Sequence, residues 1–200
     1  MKTLLALSLS LFTVVASAQN KPTTAVPTVY KVNPASTKIE WIGKKITGQH
    51  NGTLTAKSGN IVVTNDLITG GEVVVDMNTI AVSDIPVKEE GNGKLVGHLK
   101  SPDFFDVAKF PESKIVIKSS KKVAKGLEVT GDLTIKGKTN PITFVANLVK
   151  SDKGINVKSE FNVNRTKYDI KYGSGSFFKG LGDKAINDDF TLTVDVAAAN

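Results

Sequence analysis

Residues 126–150, GLEVTGDLTIKGKTNPITFVANLVK, decide the fold because they carry the pattern of two strands and the turn between them. In both halves apolar side chains recur at every second position, as they do in a strand that buries one face. Those positions are Leu127, Val129, Leu133 and Ile135, then Ile142, Phe144, Ala146 and Leu148. The connecting KGKTNP, residues 136–141, is typical of a hairpin. The stretch therefore predicts an antiparallel pair.

The same alternation extends over most of the chain. The further stretches are TKIEWIGKK (37–45), GEVVVDMNT (71–79), SKIVIKSS (113–120), GINVKSEFNVN (154–164) and DFTLTVDVA (189–197). Short turns are indicated by NG at 51–52 and SDKG at 151–154. Successive strands with short turns predict an all-β antiparallel meander, and about eight of them could close into an up-and-down barrel. A sandwich would show the same alternation.

The N-terminus has the pattern of a secretory signal. Lys2 precedes an apolar run that ends in ASA at 16–18, and the run is short for a bilayer span of about 20 residues. We expect residues 1–18 to be removed, 19–28 to form a disordered leader and 29–198 to form the barrel. The chain has no cysteine, so it cannot be a lipoprotein or hold a disulfide. The expected location is periplasmic, without stable membrane insertion.

The charge is basic but does not indicate nucleic acid. The chain has 26 Lys and Arg against 19 Asp and Glu, and Arg165 is its single arginine. Nucleic-acid binders cluster their cations and favour arginine, so we expect no nucleic-acid partner. Attraction to anionic lipid headgroups fits the lysine excess.

Two aromatic stretches interrupt the strand pattern. HLKSPDFFDVAKFPES, residues 98–113, contains Phe104, Phe105 and Phe110, and YGSGSFFKGLGD, residues 172–183, contains Phe177 and Phe178. A short helix is expected from about residue 94 to the proline at 102. Rings left exposed on loops would form an apolar patch, so these loops are expected to be covered. They either plug the barrel end or gate an apolar cavity.

At these residues the chain resembles a known family. SPDFFDVAKFPE (101–112), GDLTIKGKTNP (131–141) and FNVNRTKYDI (161–170) are similar to stretches of the YceI-like family of periplasmic lipid-binding or polyisoprenoid-binding proteins. The resemblance runs over residues 29–197. After the arginine that family commonly has an aromatic residue and a glycine, where this chain has Tyr168 and Asp169.

The resemblance implies an extended lipocalin-like barrel whose interior holds a polyisoprenoid or quinone-like lipid. The function it implies is to bind and carry or store that long-chain amphiphile. The candidate ligand-binding residues are then Ile39, Trp41, Val75, Met77, Phe104, Phe105, Ile117, Leu133, Phe144, Phe161, Phe177 and Phe178. Arg165 and His98 are the candidates for contact with a headgroup, and a salt bridge or loop staple is the alternative role for Arg165.

The case for catalysis is weak. His50 and His98 lie in no metal-spaced motif, and adjacent acids such as Asp188 and Asp189 point to opposite faces of a strand. We expect no enzyme activity, cofactor or metal. Two alternatives stay open, an enzyme on a small apolar or isoprenoid substrate using His98 or an interior acid, and a packed structural barrel without ligand. A homodimer is possible.

Overall fold

The computed structural model describes residues 25–200, so the predicted signal and most of the predicted leader lie outside the described residues. The described chain is built almost entirely of antiparallel strands, which confirms the all-β prediction. Its strands are β1 (Thr28–Val32), β2 (Lys38–Lys45), β3 (Gly48–Thr64), β4 (Leu67–Val82), β5 (Glu112–Val123), β6 (Gly126–Ile135), β7 (Lys138–Ser151), β8 (Gly154–Asn164) and β9 (Ile186–Ala199). One helix, α1 (Glu90–Lys100), lies between β4 and β5.

The sheet closes into a barrel with eight strand positions. From β2 to β9 each strand pairs with the next, and β2 also pairs with β9. The short β1 occupies the same position as β2, between β3 and β9: Lys31 pairs with Asn60 and Ala199. Because the first position is filled by two segments in line, every strand of the described barrel has a paired neighbour on both sides.

The predicted alternation matches the burial along the strands. In β6 the buried residues occupy every odd position from Leu127 to Ile135, and the even positions are half-exposed. The turn predicted at residues 51–52 is wrong, because Asn51 and Gly52 lie inside β3 and the chain turns at residues 46–47. The glycine there serves packing instead, since the backbone of Ala81 and the ring of Trp41 approach it closely.

Both long connections emerge at one end of the barrel, here called the mouth end. They are residues 83–111, which contain α1, and residues 165–185. The turns at 46–47 and 136–137 lie at the same end. Tight turns at 65–66, 124–125 and 152–153 form the opposite end.

The wall is incomplete between β7 and β8. Their ladder runs from the Ser151–Gly154 pair to the Ala146–Ser159 pair and stops there, although both strands continue towards the mouth end. The hydroxyl of Ser159 donates to the carbonyl of Val145 at this last rung, over 2.7 Å. Pro141 lies on the part of β7 that is separated from β8. Because proline has no backbone N–H, this position cannot donate a ladder hydrogen bond.

Candidate functional site

The barrel encloses an apolar cavity of about 190 Å³. It extends from Val157 and Val196, among the packed side chains of the interior, to Phe104 and Phe105 at the mouth end. An engineered apolar cavity of about 150 Å³ stays dry and binds benzene, so this space is large enough to take an apolar group.

Most of the predicted ligand-binding residues lie on the wall of this cavity. Ten of the twelve contact it, namely Ile39, Trp41, Val75, Met77, Phe104, Phe105, Ile117, Leu133, Phe144 and Phe161. Phe177 and Phe178 do not, and about half of each side chain is exposed outside the barrel. The strand residues reach the wall because alternate side chains of every strand point inward.

Trp41 has a fixed orientation on the wall. Its indole Nε1 donates to the carbonyl of Ala81 on β4, over 3.2 Å, while its ring packs over Gly52. A buried indole N–H needs such a partner, so the polar edge of the ring is satisfied and its apolar surface is left to the cavity.

Helix α1 and residues 101–111 form a lid over the mouth end. Leu99, Phe104 and Phe105 contact the cavity from this lid. Backbone bonds from Phe105 N to Leu99 O and from Val107 N to Lys100 O fold the segment back against the helix. The buried Asn92 donates to the carbonyls of Val82, the last residue of β4, and Ile85, and so attaches the start of the helix to the barrel.

Arg165 fastens the second long connection. Its Nε donates to the carbonyl of Asn187, its Nη1 to those of Ile170 and Tyr172, and its Nη2 to that of Ile186, all within 3.0 Å. Four of its five N–H groups are thereby used on backbone carbonyls, and its side chain is only 5% exposed. This geometry is that of a loop staple, since little donor capacity remains for a headgroup.

Asp188 lies beside this arginine, with its Oδ1 3.8 Å from Nη2 of Arg165. That oxygen is buried and has no hydrogen-bond partner among the described residues, while Oδ2 accepts from the hydroxyl of Ser176. Burial raises the pKa of the Asp188 carboxyl, but the nearby hydroxyls of Ser174 and Ser176 and the charge of Arg165 outweigh it, and the net pKa is lowered. The carboxylate is therefore ionised at neutral pH.

Comparison with known proteins assigns the family. The sequence profile of the YceI-like domain matches residues 30–198. The chain belongs to the YceI-like family. This is the family that the sequence motifs resembled.

Related proteins match over parts of their length. Protein YceI of Escherichia coli O17:K52:H18 is 44% identical over 52 residues, which cover 26% of this chain and 27% of that protein. A UPF0312 protein of Pseudomonas putida is 30% identical over 123 residues, which cover 57% of this chain and 61% of that protein.

Two solved structures share the architecture over most of the chain. BcnA of Burkholderia cenocepacia has a TM-score of 0.65 at 16% identity and covers 84% of this chain and 99% of its own. A polyisoprenoid-binding domain from Saccharophagus degradans has a TM-score of 0.62 at 12% identity, with 85% and 97% covered. At these identities the likeness concerns the fold, and it agrees with the predicted lipocalin-like barrel.

His98 lies at the edge of the YceI-like lid and does not contact the cavity. Its ring meets Phe104 and Tyr172 edge-on, with centroids 4.9 and 4.6 Å away, and its Nε2 is 3.3 Å from a carboxylate oxygen of Asp103. His98 therefore joins the lid to the second connection by packing.

The position where this chain departs from the family pattern has a left-handed backbone. Asp169 ends the 3₁₀ turn Arg165–Tyr168 with a φ of 61°. A glycine adopts this conformation freely, and aspartate is among the few other residues that tolerate it. The turn thus forms here without a glycine.

Part of the cavity wall was not predicted from the sequence. Leu54 and Ile80 belong to strands with shifted registers, and Ile170 and Ile186 belong to the second connection or its boundary. The alternation in β3 and β4 could have suggested the first two. Nothing in the sequence indicated that a loop isoleucine would turn inward.

In the described part of the chain, only five charged or uncharged polar residues line the cavity, namely Ser113, Lys114, Arg165, Asn187 and Asp189. Within residues 25–200 no group of three or more His, Asp or Glu side chains is placed to hold a metal ion. In the same range no helix has the length and apolar character needed to cross a bilayer.

Proposed function

We propose that this YceI-like barrel binds and carries a long-chain amphiphile, with the apolar tail inside the barrel. The single observation that carries the proposal is the cavity inside the barrel, whose wall is almost entirely apolar. Burial stabilises an apolar chain by about 0.8 kcal/mol for each methylene. The gain grows with tail length, while part of it is offset by immobilising the chain.

The ligand class we propose is a polyisoprenoid or quinone-like lipid. The family membership and the shared fold with a domain described as polyisoprenoid-binding support this class. The polar head would stay at the mouth end, because an ionised group loses its hydration in an apolar interior. The predicted secretory signal supports a periplasmic site of action.

The twelve predicted ligand-binding residues then fall into two groups. The ten wall residues would contact the tail, while Phe177 and Phe178 lie outside and would not. For Arg165 we propose a positioning role, because its donors are used on the loop carbonyls of residues 170–187.

The lid is the route that we propose for entry. A tail of many carbons needs more room than about 190 Å³, so the side chains of the lid have to move outward. Helix α1 is suited to this, since it contains Gly91, Gly93 and Gly97 within eleven residues. An added Cβ at Gly93 or Gly97 would meet nothing within 4 Å, so packing does not require glycine there.

The proposal is tested by native mass spectrometry of the protein isolated from its own periplasm, followed by organic extraction. We expect a bound mass that extraction identifies as an amphiphile with a long apolar tail. Phe144→Glu places a carboxylate on the wall and should abolish the bound mass. Thr143→Glu is the matched control, because the neighbouring side chain points outward and is exposed.

Two results would refute the proposal. One is a protein that is empty as isolated and takes up no added polyprenyl phosphate or quinone. The other is a folded Phe144→Glu variant that retains as much lipid as Thr143→Glu.

A further inference from the structure

Five large apolar side chains are exposed at the mouth end, of which Val87 lies on the lid side. The other four form what we call the aromatic rim: Ile46, Tyr172, Phe177 and Phe178, which are 66%, 46%, 51% and 49% exposed. The β2–β3 turn touches the second connection, since Ile46 N donates to the carbonyl of Ala185. The rim therefore belongs to one side of the mouth.

The rim is held outward by a buried base. Ser174 is fully buried, and its carbonyl accepts from the backbone N–H groups of both Phe177 and Phe178. Arg165 binds the same connection to the barrel through the carbonyls of Tyr172 and Ile186. A connection anchored in this way presents the two rings to the outside as part of its folded shape, and they make no contact with the cavity.

Lysines surround the rim. In residues 165–185 the exposed or half-exposed charges are four lysines (Lys167, Lys171, Lys179, Lys184) against Asp169 and Asp183. On the adjoining strand ends Lys44, Lys45 and Lys138 are exposed together with one acid, Asp189, so lysines remain in excess. Lys171 places its Nζ 5.0 Å from the centre of the Phe177 ring. The lid side of the mouth differs, because residues 83–111 contain four lysines and five acids.

We propose that the aromatic rim docks this protein on an anionic lipid bilayer, with the mouth of the cavity facing the membrane. Aromatic rings favour the membrane interface, and lysines beside them are attracted by anionic headgroups. Long lysine side chains can place their charge among headgroups while their stems lie on apolar surface. Docking itself requires no lipid in the cavity. Its use for lipid transfer rests on the proposed function.

The test is flotation of the chain from Gln19 onward, which contains the whole barrel, with vesicles. One set contains phosphatidylcholine and phosphatidylglycerol in equal amounts, and the other phosphatidylcholine alone. We expect binding to the anionic vesicles that weakens as salt is added. The double variant Phe177→Ser/Phe178→Ser and the double variant Lys179→Glu/Lys184→Glu should each reduce the affinity about tenfold or more.

Matched controls lie elsewhere on the same barrel. Val145→Ser/Val149→Ser removes two exposed apolar side chains from the outer face of β7, and Lys125→Glu/Lys153→Glu reverses two charges at the opposite end. Both should bind anionic vesicles within about twofold of the unaltered chain. All these variants share one N-terminus, so a difference among them reports on the rim.

Three outcomes would overturn the proposal. The first is equal binding of the unaltered chain to both vesicle types, or no binding to either. The second is an equal loss in rim and control variants. The third is a chain that does not bind vesicles but self-associates in sedimentation, with the self-association removed by Phe177→Ser/Phe178→Ser. That result would assign the rim to contact with a second copy of the chain. Vesicle binding with a cavity that takes up no lipid would leave docking intact and refute only the proposed function.

Discussion

Phe144 and Phe161 stack face to face inside the barrel, with ring centroids 4.4 Å apart and ring planes 16° apart. On each strand they lie two residues beyond Ala146 and Ser159, where the ladder between β7 and β8 ends. Side-chain stacking thus joins the two strands where backbone hydrogen bonds do not. The same two rings form part of the cavity wall.

This relationship predicts energetic coupling between the two rings. Such an aromatic pair contributes about 0.5–1.5 kcal/mol beyond the area it buries. Phe144→Leu, Phe161→Leu and the double variant, compared by urea unfolding, should show a coupling of that size. Strictly additive single effects would contradict the prediction. Phe144→Leu with Ile155→Val, which is buried towards the other end of the barrel, is the uncoupled control.

The alternating strands could be predicted because each buries one face only, and this leaves a period of two in the sequence. Phe144 and Phe161 were correctly placed inside for this reason. Closure into a barrel came from the family resemblance, since a sandwich has the same alternation. The separation of β7 from β8 is indicated in the sequence only by Pro141.

The loops were harder to predict, because their side chains follow no period. Phe104 and Phe177 occur in similar sequences, each in a Phe-Phe pair between turn residues, yet one contacts the cavity and the other is exposed. The difference depends on where Arg165 and Ser174 attach the second connection. The guanidinium of Arg165 bonds to carbonyls as far away as Asn187, and Ser174 bridges to Ile186. No short stretch of sequence specifies such contacts.

Gly52 should be intolerant of any side chain. A Cβ there would lie 1.8 Å from the carbonyl oxygen of Ala81 and 2.7 Å from the ring of Trp41. Gly52→Ala is therefore expected to destabilise the barrel by about 3 kcal/mol or more, because the clash involves backbone. Trp41 is the only tryptophan, so its fluorescence follows unfolding and reports on this site.

The matched control for Gly52 is Gly43→Ala. Its Cβ would meet the same tryptophan ring at an ordinary 3.9 Å, and the expected change is within about 0.5 kcal/mol. Equal losses from the two substitutions would show that the close approach at Gly52 does not limit stability.

Alanine in helix α1 should stabilise the lid. Each of Gly93→Ala and Gly97→Ala is expected to add about 0.5–1 kcal/mol of helix stability, because glycine loses more backbone freedom and neither position is crowded. Hydrogen exchange should slow across α1, and a bound lipid should leave more slowly if the lid is the route. Gly175→Ala, also uncrowded but outside any helix, is the control. Slower exchange in α1 with unchanged lipid release would argue for another route.

We expect that lysine cannot perform the structural role of Arg165. A lysine ammonium cannot reach the four carbonyls that the guanidinium binds, so several buried acceptors would lose their partner. We expect Arg165→Lys to lose about 3 kcal/mol and to expose residues 171–185 to trypsin. Lys167→Ala, at an exposed neighbour, should do neither. A variant that keeps the connection protected but loses lipid would instead indicate headgroup contact.

Asp188 should make the second connection sensitive to acid. Its pKa is lowered in the folded chain, since the hydroxyls of Ser174 and Ser176 and the charge of Arg165 outweigh the effect of burial, which acts the other way. A carboxyl with a lowered pKa stabilises the fold above its unfolded pKa of about 3.9, and that stabilisation is lost as pH falls through the folded value. Asp188→Asn has a similar shape and does not titrate. We therefore expect it to be less stable than the unaltered chain near neutral pH, with the difference shrinking below about pH 4.

Urea unfolding of both chains across this range measures the difference directly. Asp152→Asn, at an exposed turn of the opposite end, should follow the unaltered chain at every pH. If the difference in free energy of unfolding between Asp188→Asn and the unaltered chain stays constant as the pH is lowered, the Asp188 charge does not stabilise the connection. A stability difference that disappears, together with pepsin cleavage within residues 171–185 at low pH, would locate the effect at the pair formed by Arg165 and Asp188.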